Sequence, residues 1–345
     1  MPGVLPPALV LVTGASGFLA AHVCQVLLER GYKVRGTVRT EEKAHYLLSL
    51  FSSPNFSYIL VPDIQAPTAF DQAVKGVDAV LHTASPFHSR AVEPEEVIGP
   101  AVEGTRGVLE SVQKINPSIK RIVITSSIAS IRMPCTPGTV FTESTWNTHS
   151  PDVVAREGVN APGIDKYRTS KVFAEKVAWE FVQTEKPSWD LVTICPPMIF
   201  GPLIHGVSAV ENLNTSTAAL RDGFTAEGAK TGTEAGKQAG TWVDVRDVAL
   251  VHVEALAQDR AGGQRYISAA GPYSWQMLYD SVHALGKVEG LDMEKVPRGT
   301  PGSDRETVYD VYSSKKAEEE LGVRFRSMGE SMKDTLLSLR EYGFH

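Results

Sequence analysis

Val10-Leu11-Val12-Thr13-Gly14-Ala15-Ser16-Gly17-Phe18-Leu19-Ala20 joins a short apolar run to a longer one through a glycine-rich turn. Gly14 permits the tight turn, Gly17 lets the backbone approach a pyrophosphate, and the small Ala20 lets the following helix lie close to a sheet. Free amides at the start of that helix then face the anion. Glycines at turns are common, so the strand–turn–helix context near the N-terminus carries the dinucleotide-binding reading. Ala8 to Leu28 is apolar over nearly the length that crosses a bilayer. Thr13–Gly17 interrupts it, however, and Met1–Pro7 lacks the positive charge of a signal peptide. A soluble, cytoplasmic protein is expected.

Outward from that turn, short apolar runs alternate with amphipathic stretches. Ala8–Val12, Lys33–Val38, Phe56–Val61, Ala79–His82, Arg121–Thr125 and Leu191–Ile194 read as strands, with helices over Leu19–Arg30, Glu41–Phe51 and Thr105–Ile115. Two-sided apolarity suits strands covered by helices on both faces. The pattern predicts an α/β fold, a Rossmann-type doubly wound parallel sheet with a smaller C-terminal substrate-binding lobe. The expected cofactor domain spans 1–195 with returning segments at about 241–270; the lobe takes 196–240 and 271–345. Trp242–Val245 and Arg265–Ser268 read as strands, Asp247–Ala257 as a helix, and two helices start near Ser274 and Met328. Gly206–Gly240, rich in small and polar residues, reads as a helix with a glycine-punctuated loop.

Composition excludes other classes. The 345 residues carry 34 basic and 40 acidic side chains, a formal charge of −6, with no basic stripe for nucleic acid. Three cysteines, Cys24, Cys135 and Cys195, form no CxxC, which fits a reducing compartment. Nine histidines form neither HExxH nor a Cys/His cluster, so no metal is expected.

The end of the second strand selects the dinucleotide. An NAD site wants an acid there for the ribose hydroxyls. Here Lys33-Val34-Arg35-Gly36-Thr37-Val38-Arg39 supplies none, and Lys43 follows one helical turn later. Arg39 and Lys43, with Arg35 as a secondary candidate, suit the 2′-phosphate of NADP(H). Further on, Tyr167 and Lys171 are four residues apart in a helical pattern, so both reach one site. A nearby ammonium is expected to lower the pKa of the phenol and fit it for proton transfer. Thr125-Ser126-Ser127 follows the fifth strand at the end where ligands bind, and Ser127 can hold a carbonyl oxygen against Tyr167.

With these motifs the chain resembles the extended short-chain dehydrogenase/reductases almost end to end. The likeness is greatest to the branch of yeast NADPH-dependent methylglyoxal/isovaleraldehyde reductase, fungal carbonyl reductases and plant dihydroflavonol 4-reductase. His82-Thr83-Ala84-Ser85-Pro86-Phe87 and Val243–Ala249 are the segments most particular to it. The resemblance implies that Gly14, Ala15, Ser16, Gly17, Phe18 and Leu19 meet the pyrophosphate, and that Asp63 and Ile64 flank the adenine. It places Thr83, Ala84 and Ser85 along the cofactor's middle with Thr125 near by, and Pro196, Ile199 and Ser216 around the nicotinamide. Ser127, Tyr167 and Lys171 would form the catalytic triad, and Phe87, Ile164 and Met198 would meet the substrate.

Two positions depart from the pattern. Ala101 stands where many extended members place a proton-relay Asn, a loss the reductase branch shares. Arg132 stands where some relatives put an aromatic substrate wall, which makes it a substrate candidate here. The resulting expectation is an NADPH-dependent reductase of a small aldehyde or ketone, monomeric or homodimeric, without nucleic-acid or membrane partners. The alternatives are a nucleotide-sugar epimerase or dehydratase on the same scaffold, and a non-catalytic NADP-binding redox regulator.

Overall fold

Strand β1 (Leu9–Thr13), which opens the quoted stretch, lies inside a sheet of seven parallel strands. The computed structural model describes residues 1–84 and 92–344. The other strands are β2 (Lys33–Val38), β3 (Phe56–Leu60), β4 (Ala79–His82), β5 (Arg121–Thr125), β6 (Val140–Phe141), β7 (Asp190–Cys195), β8 (Met198–Phe200), β9 (Gln238–Asp244), β10 (Arg265–Ile267), β11 (Gly271–Ser274) and β12 (Val311–Tyr312). The helices through the first half are α1 (Phe18–Glu29), α2 (Glu41–Phe51), α3 (Glu95–Ile115), α4 (His149–Glu157) and α5 (Gly163–Glu185). Then come α6 (Thr215–Gly223), α7 (Gly232–Gly236), α8 (Val245–Ala257), α9 (Trp275–His283), α10 (Lys315–Leu321) and α11 (Met328–Glu341).

The central order is β10-β7-β5-β4-β1-β2-β3. The chain runs outward from β1 to β3, then returns to the other side of β1 and runs outward again. That reversal opens a crevice beyond the carboxyl ends of β1 and β4. Consecutive residues of β1 feed opposite faces. Val10 and Val12 join α1 and α8 residues such as Leu27 and Val253. Leu11 joins Val80, Ile122 and the α3 residues Leu109 and Val112. Helices α3 and α5 pair on that second face, as the two-sided strands require.

A second sheet is ordered β11-β9-β8, and Phe200, Trp242, Leu278 and Met332 form a separate core beside it. Trp242 lies opposite Met198 in this sheet. Residues of β9 pair with β8 and β11 in this second sheet, and α8 follows from Val245. The Arg246 guanidinium then bridges Asp244 and Asp334 at 2.8 and 2.7 Å, tying α8 to α11.

Candidate active site

The phosphate turn is built as its residues dictate. Gly14 has φ +66°, and a Cβ there would stand 3.2 Å from both Cα and Cβ of Ala84. The Thr37 hydroxyl accepts the Gly14 amide at 2.9 Å, and the Thr37 carbonyl accepts Ala15 N at 2.9 Å. Gly36 gives Ala15 room, since a Cβ on it would come within 2.6 Å of the Ala15 Cβ. Helix α1 begins with no side-chain cap and no acid in its first turn. Its first amides and the positive end of its dipole are left for an anion.

Gly14, Ser16, Gly17, Arg39, Lys43, Ile64, Thr83 and Ala84 line one cleft of about 250 Å³, together with Thr37, Val38 and Val61. The last three were missed by the sequence reading. They close the carboxyl ends of β2 and β3, and strand order alone marks such positions. Asp63 is exposed beside the cleft, and its Oδ1 accepts the Gln65 amide at 2.9 Å. Ala15 and Phe18 turn their side chains into the core, and Leu19 packs half-buried against it. Phe18 meets the rings of His22 and His205, so any part these three play toward an anion is played by the backbone.

Arg35 needs correction. Its guanidinium donates to the carbonyls of Ala73 at 2.9 Å and Lys75 at 2.6 Å. Four residues of strand separate it from Arg39, roughly 13 Å, which keeps it from the end where the cleft opens. It braces a neighbouring turn and takes no part in the cleft.

On the other side of the crevice, Ser127 opens a short 3₁₀ turn, Ile128–Ser130, directly after β5. Its Oγ accepts the Ala129 amide at 3.1 Å and donates to the Pro196 carbonyl at 3.4 Å. It lies near enough to the Tyr167 hydroxyl to favour the phenolate. Lys171 Nζ lies 5.9 Å from the centre of the Tyr167 ring. The helical spacing in α5 thus brings Ser127, Tyr167 and Lys171 to one place.

Their titration departs from the simple expectation. Burial pushes the Tyr167 phenol above its ordinary value, and the nearby Ser127 hydroxyl offsets this only in part. Burial also lowers Lys171 to about 8. Desolvation disfavours both charged forms, and it is the largest cause of each shift. Behind Lys171 is a chamber of about 10 Å³, room for one water, walled by His82, Thr105, Thr125, Ser126 and Glu175 among others. Thr125 Oγ1 is 2.7 Å from His252 Nε2.

The remaining candidates divide by position. Ser216 donates its hydroxyl to the Ile199 carbonyl, fixing the start of α6 beside β8. Met198 packs half-buried against the core that holds Trp242, while Ile164 and Arg132 are exposed. Ser85 and Phe87 lie outside the described residues. Among the described residues no group of His, Cys, Asp and Glu could hold a metal, and no helix is long and apolar enough to cross a membrane.

The profile of the NAD dependent epimerase/dehydratase family matches residues 10–269, from β1 through β10. The chain belongs to that family. Among family relatives, a ketoreductase of Aspergillus niger is 36% identical over 341 residues, covering 96% of this chain and 97% of its own. A cinnamoyl-CoA reductase of Medicago truncatula is 36% identical over 348 residues, covering 97% and 96%. The crystal structure of yeast methylglyoxal/isovaleraldehyde reductase complexed with NADPH superposes with a TM-score of 0.84 at 32% identity, covering 98% of this chain and all (100%) of that one. A UDP-glucose 4-epimerase of Bifidobacterium longum shares the fold with a TM-score of 0.70 at 19% identity, covering 97% of this chain and 99% of that one.

Proposed function

We propose that the protein reduces a small aldehyde or ketone to an alcohol, with Tyr167 as the acid, Ser127 as the holder of the carbonyl oxygen and Lys171 as the residue that orients both cofactor and phenol. The protein is an oxidoreductase using NADP(H), as its reductase relatives are. The residues present fit that cofactor: an uncapped helix start for the pyrophosphate, a glycine pressed against Ala84, and Arg39 with Lys43 at the far end of the cleft. When bound, NADPH supplies the hydride.

The observation that carries the proposal is Lys171 Nζ 5.9 Å from the centre of the Tyr167 ring, with the Ser127 hydroxyl near enough to favour the phenolate. A carbonyl oxygen accepting from both hydroxyls is held where negative charge grows as hydride adds to its carbon. Tyr167 then gives its proton to that oxygen. A phenol held above its ordinary pKa by burial arrives protonated at neutral pH, as an acid must. The buried Lys171 ammonium lies close enough to stabilise the phenolate left behind.

Two observations favour reduction over nucleotide-sugar chemistry: the two cations Arg39 and Lys43 on the cleft wall, and reductases among the relatives at 36% identity. Purified protein should oxidise NADPH only when a small carbonyl is added. Turnover of a nucleotide sugar without net change in NADPH absorbance would overturn the proposal.

A further inference from the structure

Tyr167, Lys171 and Glu175 follow one another at single-turn spacing along one stripe of α5. Glu175 is 1% exposed. Its Oε2 accepts hydrogen bonds from Ser126 Oγ at 2.6 Å, Ser130 Oγ at 2.7 Å and Arg265 Nη2 at 3.1 Å. Its Oε1 accepts from Arg265 Nε at 2.7 Å and Thr193 Oγ1 at 2.8 Å. Arg265, reaching in from β10, also donates to the carbonyls of Glu143 at 2.9 Å and Thr145 at 2.6 Å, and lies 3.9 Å above the Trp146 ring. One carboxylate thus gathers groups from α5, β7, β10 and the turn after β5.

A buried ion pair is weak evidence of a role in stability, since apolar residues of like volume often do as well. What this pair holds is more telling. Ser126 and Ser130 bracket Ser127, so both ends of the turn that presents the Ser127 hydroxyl hang from Glu175. The same carboxylate rides on the helix that presents Tyr167 and Lys171, and it walls the water-sized chamber behind Lys171. A shift of Glu175 is therefore a shift of Ser127 relative to Tyr167.

We propose that Glu175, clamped by Arg265, is a positioning residue that sets the Ser127 turn in register with the Tyr167–Lys171 face of α5. The inference rests on the reductase reading above for its kinetic consequence, and on the hydrogen bonds alone for its structural one. Glu175→Gln would leave Arg265 buried without its counter-charge and risks unfolding. The double variant Ser126→Ala/Ser130→Ala instead cuts the latch while Arg265 and Thr193 still satisfy the carboxylate.

Two readouts are compared with the parent, using whichever carbonyl the parent reduces. Amide exchange across residues 126–131 should quicken by about tenfold or more, a local opening without global unfolding. The kcat should fall between about ten- and a hundred-fold, the cost of a reacting group held an ångström out of place. The Kd for NADPH should stay within about twofold, since the phosphate turn lies across the crevice. Ser126→Thr/Ser130→Thr, which keeps both hydroxyls, should recover most of the kcat. Unchanged exchange, or faster exchange with unchanged kcat, overturns the inference. A parent that reduces no carbonyl would refute the reductase reading instead, and the exchange measurement still decides whether the latch exists.

Discussion

Replacing Arg39 by Ala tests the cofactor end of the cleft most directly. Arg39 stands one residue beyond β2, exposed, on the wall that ends at Lys43. A hydrogen bond to a charged group contributes about 1.5–3 kcal/mol, and an exposed, salt-screened one belongs at the low end. With about 1.4 kcal/mol per factor of ten, the NADPH KM should rise roughly tenfold. Removing Lys43 as well should bring the loss toward about a hundredfold and flatten its dependence on ionic strength. NADH lacks the 2′-phosphate, so its KM should hardly move. Initial rates with each cofactor at fixed carbonyl concentration give the ratio. Arg35→Ala is the control. It strips two backbone carbonyls of their donor, and should cost about 1–3 kcal/mol of stability while leaving the NADPH/NADH ratio intact. Equal rises for both cofactors on Arg39→Ala, or a changed ratio on Arg35→Ala, would refute the assignment.

Tyr167→Phe should lower kcat by at least about a hundredfold and leave NADPH binding intact, because the ring still packs under Lys171; more than about a tenth of the parent rate would remove Tyr167 as the acid. Four buried histidines, His22, His82, His205 and His252, are held neutral by desolvation down to about 4. The unfolded chain takes up their protons near 6.5, so stability present above that pH is lost as pH falls toward 4, by up to about 1.4 kcal/mol per unit for each. A urea midpoint that stays put between pH 7 and 5 contradicts this. Across a panel of carbonyls, Met198→Ala should change the ranking by size and Arg132→Ala the ranking by charge; one common scaling factor for all substrates would place both residues outside the pocket.

The central sheet was legible because β1, β4 and β5 carry unbroken apolar runs of three or four residues, bounded by turn residues. The first half of α3 was not, since Gly99, Pro100 and Gly104 interrupt the propensity pattern that marks Thr105–Ile115. The short strands β6, β8, β11 and β12, of two to four residues, fall below the length at which alternation is visible. Ser127, Tyr167 and Lys171 were readable because two of them share one helix and the third ends a strand. Arg35 misled because composition shows a cation without its partners, and the carbonyls it serves lie about 40 residues away. Glu175 looked like one more polar position on an amphipathic helix. Its counter-ion enters from β10, 90 residues later, beyond any local pattern.

The interleaving of the two sheets also governs how the polypeptide meets the ribosome. After β7 emerges, about 70 further residues must be made before β10 can pair with it. At about 5–20 residues per second, that is several seconds of synthesis. During them the edge of β7 is unpaired and the face that α8 will cover is bare. The nascent chain is then a half-finished sheet with its adhesive side outward, the species most exposed to aggregation and to capture by chaperones. The gap can close only once α8 and β10 have been made and Arg265 of β10 can reach Glu175.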